Sequence, residues 1–389
     1  MPYIEPARRV LVVAGTRPEC LKLATVVTSL RLQEGLCSIL LNSGQHHAMV
    51  ERTFAHLGIS CDRAPGVLHA TSLSQAVSAL RERIRTIALD DEVALIVAQG
   101  DTSTAYAATL ASRDIGIPLA HIEAGLRTAH PYRPFPEQLF RRRIAQMARL
   151  HYAPTPGAVD NLLAEGVDAG HVHMVGNTIV DLLHQHVERA PRPARAGHTV
   201  LLTLHRRENY GRALDNVCTA VLDLLRLDPD LDVVCPVHPN PTVGSRIRRH
   251  LSGHARIRLV DPLDYGPFIA ELMRASLAIT DSGGIQEEAP YLGTPVLVVR
   301  ENTERPEAVS LGAATLVAPH ADAIVAEAVR LLARPRPLPL AFDANAPFGD
   351  GRSGARIAAG IGEFLRPAAS TALVHAIEDA AHSLRGQLQ

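Results

Sequence analysis

Short apolar runs, each followed by a polar or glycine-containing turn and then a helix-like stretch, constrain this chain more than any other feature. In the first half they fall at residues 10–13, 38–41, 94–98, 118–122 and, more weakly, 173–175. In the second half they fall at 200–204, 233–237, 257–260, 277–280 and 296–299. A strand buried on both faces reads as a continuous apolar run, and alternation of such runs with helices indicates parallel sheets covered on both sides. The pattern occurs twice, with a Pro/Arg-rich break at residues 189–193 between the halves. It predicts an α/β chain of two doubly wound, Rossmann-like domains, 1–180 and 181–366. The tail, 367–389, has a helical pattern and is expected to pack back on the first domain. A length of 389 residues suits two cores better than one.

Composition narrows the function classes. With 39 basic and 40 acidic side chains the net charge is −1, so nothing overall advertises nucleic acid or an anionic membrane as a partner. Five cysteines without a CxxC pair argue against a disulfide framework or a structural zinc, and fit a reducing cytoplasm. The apolar stretch 10–14 is too short for a signal peptide and reads as the first strand. No run approaches a bilayer-spanning length.

The polar residues follow the strands. The first half has Gly15-Thr16-Arg17-Pro18-Glu19, Gly44-Gln45-His46, Gln99-Gly100-Asp101-Thr102 and Glu123-Ala124-Gly125. The second has His205-Arg206-Arg207-Glu208-Asn209, His238-Pro239-Asn240, Asp281-Ser282-Gly283-Gly284 and Arg300 through Thr303-Glu304-Arg305-Pro306-Glu307. Open parallel sheets bind ligands outside the carboxyl ends of their strands. If the two edges face each other, the ligand lies between the domains. Ser282-Gly283-Gly284 at a strand-to-helix turn leaves backbone N–H groups and a hydroxyl exposed, which suits a phosphate; the helix dipole adds roughly 0.3–1 kcal/mol. Glu288, about one turn into that helix, is placed to accept bonds from the vicinal hydroxyls of a ribose. A metal is not assigned: His121-Ile122-Glu123 lacks the Pro-Cys-x-x-Cys that a zinc deaminase needs, and His46-His47 has no third ligand.

Taken together, GTRPE, GQH, GDT, HIEAGLRT, PFPE, HRREN, PVHPNP, DSGGIQEEAP and TERPEA resemble the non-hydrolysing UDP-N-acetylglucosamine 2-epimerases in order and spacing, from Gly15 to about Ala355. The resemblance implies a GT-B-like fold with an interdomain cleft, a UDP-N-acetylhexosamine substrate, no cofactor and a homodimer. It implies reversible C2 epimerisation of UDP-GlcNAc to UDP-ManNAc, by elimination of UDP to a 2-acetamidoglucal and re-addition. The family's acid/base carboxylates fall on Asp101, Glu123 and Glu137. Its groups for the leaving diphosphate fall on Arg17, Lys22, Arg141, His205, Ser282, Gly283 and Gly284, with His205 and Arg141 nearest the reacting centre. Arg206, His238 and Arg305 are further UDP contacts, Glu288 holds the ribose, and Phe268 matches the position packing against uracil. Core packing serves equally well for Phe268, as does a structural role for His238.

This chain departs from the family in places. The usual PEE–NR motif reads Pro136-Glu137-Gln138-Leu139-Phe140-Arg141, which keeps Glu137 and Arg141 but changes two neighbours, and Gln99 replaces the more usual His before Gly-Asp-Thr. Several relatives bind a second UDP-GlcNAc through the Gly-Gln-His loop, here Gln45 and His46, and an Arg-Gln pair that aligns to Ala70-Thr71. Losing that arginine predicts a weakened effector site unless Arg63 takes over. The competing readings are a hydrolysing epimerase, an epimerase of UDP-2,3-diacetamido sugars, a GT-B glycosyltransferase and a non-catalytic UDP-sugar binder. HIEAGLRT and PFPE argue against the transferase, Pro18-Glu19 against hydrolysis, and the three carboxylates against a mere binder.

Overall fold

The structure is a computed structural model that describes residues 7–128, 130, 134–189, 198–204 and 210–366. Its first half alternates β1 (Arg8–Ala14), α1 (Arg17–Leu32), β2 (Leu36–Asn42), α2 (His47–His56), α3 (Leu73–Asp90), β3 (Leu95–Gln99) and α4 (Ser103–Ile115). It continues with β4 (Leu119–Ile122), α5 (Glu137–Met147), β5 (Leu150–Ala153), α6 (Pro156–Ala164), β6 (Val172–Met174) and α7 (Thr178–Arg189). The second half runs β7 (His198–Thr203), α8 (Arg212–Leu227), β8 (Leu231–Pro236), α9 (Pro241–Leu251), β9 (Ile257–Val260), α10 (Tyr265–Arg274), β10 (Leu277–Thr280) and α11 (Gly283–Leu292). After these come β11 (Val296–Val299), α12 (Pro306–Ser310), β12 (Ala314–Val317), α13 (Ala321–Leu332) and α14 (Ser353–Leu365).

The strands form two six-stranded sheets, ordered β2-β1-β3-β4-β5-β6 and β12-β11-β10-β7-β8-β9. Every pairing in both is parallel. Strand order reverses between β1 and β3 in the first sheet and between β7 and β10 in the second. Such switch points leave a crevice at the carboxyl ends of the strands. The described polar segments singled out in the sequence stand on that side, and residues 205–209 lie outside the described residues. No helix among the described residues is long and apolar enough to cross a membrane.

Helices cover both faces of each sheet, as uninterrupted apolar strands require. Val10, Val12, Leu95 and Val97 pack on one face of the first sheet with α1, while Leu11, Val13, Ile96 and Ala98 pack on the other with α3 and α4. Helix α14 lies within the span expected for the second domain, yet it buries Ile357, Ala358 and Ile361 in the first core. Asp181 fixes its start by accepting from the backbone N–H groups of Ser353 (3.0 Å) and Gly354 (2.6 Å). Among the described residues, 353–365 is a helix that returns to the first domain, and residues 367–389, the tail expected to pack there, lie outside the described residues. Strands β5 and β12 have no counterpart among the apolar runs read from the sequence. Leu150-His151-Tyr152-Ala153 is fully buried but too mixed in character to stand out, and β12 carries a threonine on a half-buried edge.

His151 on β5 pairs in register with His121 on β4, and both are almost fully buried. Burial pushes each imidazole down to about 4. The unfolded chain takes up the proton near its ordinary value of 6.5, so between there and about 4 the unfolded state binds more protons and stability falls as pH falls. Each histidine contributes a slope of roughly 1.4 kcal/mol per pH unit. Between pH 6.5 and 5, wild type should lose roughly 2 kcal/mol more than a His151→Gln variant in urea unfolding. Parallel losses in the two proteins would contradict this.

Candidate active site

The carboxyl ends of the two sheets face each other. Arg17, at the start of α1, donates to the Leu263 carbonyl oxygen at 2.5 Å, and Arg52 on α2 pairs with Asp264 at 3.1 Å. Leu263 and Asp264 lead into α10. Away from solvent, Lys22 lies 3.2 Å from Glu287, Arg305 reaches Glu123 at 3.1 Å, and Arg141 approaches Glu304 at 3.5 Å. Each contact joins a residue of the first half to one of the second. The strand-end turns of both sheets thus line one cleft.

An ionic network crosses the floor of this cleft. Among the described residues its cations are Lys22, Arg141, Arg300 and Arg305, and its carboxylates are Asp101, Glu123, Glu287 and Glu304. Arg305 is its hub, with Nε 2.8 Å from Glu287 and Nη1 3.3 Å from Glu304. Arg300 holds Glu304 at 2.8 Å, and Arg141 holds Asp101 at 2.6 Å. Asp101 keeps partial access to the cleft, while the other seven side chains are almost entirely buried. Taking an ion out of water costs several kcal/mol unless it is paired and hydrogen-bonded. Pairing of every one of these cations with a carboxylate makes the assembly tolerable there.

The three carboxylates singled out in the sequence sit on the first-domain side. Glu123 follows β4 with φ 62°, in the left-handed region that side chains rarely adopt, at a cost of roughly 1–3 kcal/mol. Its Oε1 accepts from Lys22, from Arg305 and, at 3.4 Å, from Asn177, while Oε2 accepts from Gln99. Burial alone would raise its pKa, but Lys22 and Arg305 outweigh that and hold the carboxyl below the usual carboxylate range. Asp101 lies in the turn after β3, against Arg141. Glu137 opens α5, half-buried, one turn ahead of Arg141 and so on the same helix face. Glu19 is a fourth carboxyl close by, fully buried and pushed up to about 7 by burial. It accepts from the Gly15 N–H at 3.0 Å and the Thr102 hydroxyl at 2.6 Å, tying two strand-end turns together.

The opposite wall carries the groups expected to hold UDP. Ser282 is the N-cap of α11 but makes no side-chain cap bond, so the helix does not consume its hydroxyl. A Cβ on Gly283 would come within 2.7 Å of the Arg305 guanidinium, so glycine is what lets Arg305 lie across this turn. Gly284 leaves the first turn open beside Glu288, whose Oε2 would lie 3.8 Å from a Cβ there. Burial pushes Glu288 up to about 8, against the stabilising pull of the Tyr265 hydroxyl. Its Oε1 has no hydrogen-bond partner among the described residues. Phe268 is half-buried on α10 against the second-domain apolar cluster. His238 follows β8, and its Nδ1 accepts from the Asn240 N–H at 3.0 Å. His205 and Arg206 lie outside the described residues.

Around the Gly-Gln-His loop, Gln45 accepts from the Thr104 hydroxyl at 2.7 Å and His46 is exposed. Ala70 and Thr71 are exposed as well, with Thr71 bound to Gln75 at the start of α3. Arg63 pairs with Asp91 at 2.6 Å. The arginine beneath the loop is Arg83, unremarked in the sequence, which donates to the carbonyl oxygens of Ser43 (2.7 Å) and Gly66 (3.0 Å). Glu287 and Arg300 carry no individual role in the sequence reading, and Asn177 is missing from it. The first two stand in or beside recognised motifs, a position that could have flagged them. The departures at 138 and 140 resolve differently. Phe140 stacks on Tyr106 in the first core, with ring centroids 4.6 Å apart. Gln138 is buried and accepts from Arg141 at 3.4 Å.

Comparison with known proteins agrees with this geometry. The UDP-N-acetylglucosamine 2-epimerase family model matches residues 28–362. A probable UDP-N-acetylglucosamine 2-epimerase of Ralstonia solanacearum is 40% identical over 365 residues, covering 90% of this chain and 97% of the relative. The S. aureus MnaA–UDP co-structure superposes with a TM-score of 0.85 at 32% identity, covering 92% of this chain and 97% of that one. The UDP-GlcNAc 2-epimerase of Neisseria meningitidis bound to UDP-GlcNAc also gives 0.85 at 32% identity, covering 91% and 99%. Two facing parallel sheets, a carboxylate-bearing wall opposite a helix N-terminus and these matches along most of the chain converge on one assignment: the chain belongs to the UDP-N-acetylglucosamine 2-epimerase family.

Proposed function

We propose that this chain interconverts UDP-GlcNAc and UDP-ManNAc without a cofactor and without releasing free sugar. A base removes the proton from C2, the C1–O bond to UDP breaks with its electron pair leaving on the diphosphate, and a C1–C2 double bond forms. UDP then adds back at C1 while a proton reaches C2 from the opposite face. The observation that carries this reading is the opposition of Asp101, Glu123 and Glu137 on one wall to the Ser282–Gly284 helix start and Glu288 on the other. Positioned acids and bases contribute typically ~10²–10⁴-fold. The leaving diphosphate gains from the helix N-terminus and from Arg141, with Arg17, Lys22, Arg305, His205, Arg206 and His238 as further cationic or hydrogen-bonding groups. Near neutral pH Glu288 is largely protonated. It can then both donate to and accept from ribose hydroxyls. Separation of the products after incubation with UDP-GlcNAc tests the reading: UDP-ManNAc supports it, whereas free ManNAc with UDP indicates hydrolysis. We further propose a cytoplasmic homodimer, for which light scattering should read twice the monomer mass.

Ser282→Ala should weaken UDP binding roughly ten- to a hundredfold, the scale of one lost hydrogen bond to a charged group, and Glu288→Ala on a similar scale through two lost neutral bonds to ribose. Calorimetry with unchanged UDP affinity in both variants would remove them from the site. For the effector, Arg63 is committed to Asp91 and Arg83 to two backbone carbonyls, which supports a weakened second site. The expected result is turnover of pure UDP-ManNAc without added UDP-GlcNAc, and hyperbolic UDP-GlcNAc kinetics. A lag abolished by trace UDP-GlcNAc would contradict it.

A further inference from the structure

The ends of β3 and β4 hold each other's turns. Gln99, the last residue of β3, donates its side-chain amide to Glu123 Oε2 in the turn after β4. His121, on β4, bonds through Nε2 to the carbonyl oxygen of Gly100 in the turn after β3, at 2.8 Å. Between them the Gly100 N–H donates to the Ile122 carbonyl at 3.0 Å, extending the ladder by one rung past the strand. Gln99 is 3% exposed and His121 is 1% exposed, so solvent does not compete for either bond. Gly100 turns with φ 71° and delivers Asp101, while Glu123 is itself left-handed at 62°. Two adjacent turns in uncommon backbone conformations thus carry two carboxylates of the cleft, and each is tied to the neighbouring strand by one buried side chain.

From this crossed arrangement we infer that Gln99 and His121 are positioning residues that fix Asp101 and Glu123 relative to each other. The inference rests on the proposed reaction, in which those two carboxylates face the same sugar carbon. The chemistry of each partner fits the task. A carbonyl oxygen only accepts, so His121 must carry a proton on Nε2. Its Nδ1 is buried with no partner among the described residues, the state a neutral Nε2–H tautomer leaves. Burial holds the ring pKa near 4, which keeps this tautomer through the neutral range. Gln99 offers Glu123 an amide donor that has no titration of its own, so the bond persists at every pH at which Glu123 is ionised. Neither side chain needs to touch the substrate. Misplacement of a reacting group by about 1 Å can cost ~10²-fold, the scale at which losing either tie should register.

The test compares donor-removing and donor-retaining variants of the full chain. His121→Leu and Gln99→Leu should each lower kcat by roughly ten- to a hundredfold. KM for UDP-GlcNAc and calorimetric UDP affinity should stay within about twofold of wild type, since the UDP wall is untouched. His121→Gln should recover part of the kcat lost in His121→Leu, because it restores a donor. Independently of turnover, 15N spectra of histidine-labelled wild type should show His121 as the neutral Nε2–H tautomer at pH 7. Two results would overturn the inference: kcat unchanged in both leucine variants, or UDP affinity lost in proportion to kcat. A wild type that does not epimerise at all would sink the proposed reaction instead, and the tautomer would still report on the His121 bond.

Discussion

Asp101→Asn, Glu123→Gln and Glu137→Gln should each lower kcat by at least ~10²-fold, with a much smaller change in UDP affinity. An amide preserves the shape of the carboxyl group and cannot accept the proton. UDP is expected to be held by the opposite wall, around Ser282 and Glu288, which these substitutions leave in place. The three variants should differ in stability. Glu123 balances Lys22 and Arg305 in the buried network, so its amide leaves excess positive charge between the domains. Glu137 stands half-buried at the start of α5, where the helix dipole favours a carboxylate by roughly 0.3–1 kcal/mol. Steady-state kinetics with thermal unfolding on the same samples separates the two effects. Near wild-type turnover in Glu137→Gln would remove that residue from the mechanism.

The second large effect concerns Arg305. Replacing it with methionine keeps much of the volume but takes one buried cation from Glu123, Glu287 and Glu304, and leaves Lys22 alone against the first two. Breaking a buried pair by removing one partner costs about 3–5 kcal/mol. At roughly 2–4 °C per kcal/mol for a domain of this size, the first thermal transition should fall by on the order of 10 °C. A second substitution, Glu287→Gln, should restore part of the loss by removing the excess negative charge. If Arg305→Met melts with wild type, the network does not join the domains in solution.

The strands were legible because parallel sheets buried on both faces leave continuous apolar runs, as at residues 10–13 and 296–299. Leu150–Ala153 was not, since its burial comes from helices above and below and not from an apolar sequence. The destination of α14 was equally hidden. An apolar stripe of Ile357 and Ile361 says that a helix is covered, not by which sheet. In the site, Asp101, Glu123, Ser282 and Glu288 were legible from strand-end placement and local motif. Lys22 and Arg305 were legible as cations but not as partners of carboxylates, because those pairings link residues far apart in the chain and exist only once the sheets face each other. Glu19 illustrates the same limit: its motif marked it, but its role in joining the Gly15 and Thr102 turns is visible only in three dimensions.

The proposed reaction requires this cleft to break and remake the C2–H bond of a UDP-N-acetylhexosamine while retaining UDP and sugar together. Incubating the protein with UDP-GlcNAc in D₂O and following the mixture by proton NMR tests it most directly. The account predicts UDP-ManNAc with deuterium at C2, deuterium appearing at C2 of the remaining UDP-GlcNAc as equilibrium is approached, and no accumulation of free ManNAc. Epimerised product that retains its original proton at C2, free ManNAc as the end product, or no exchange at all would contradict it.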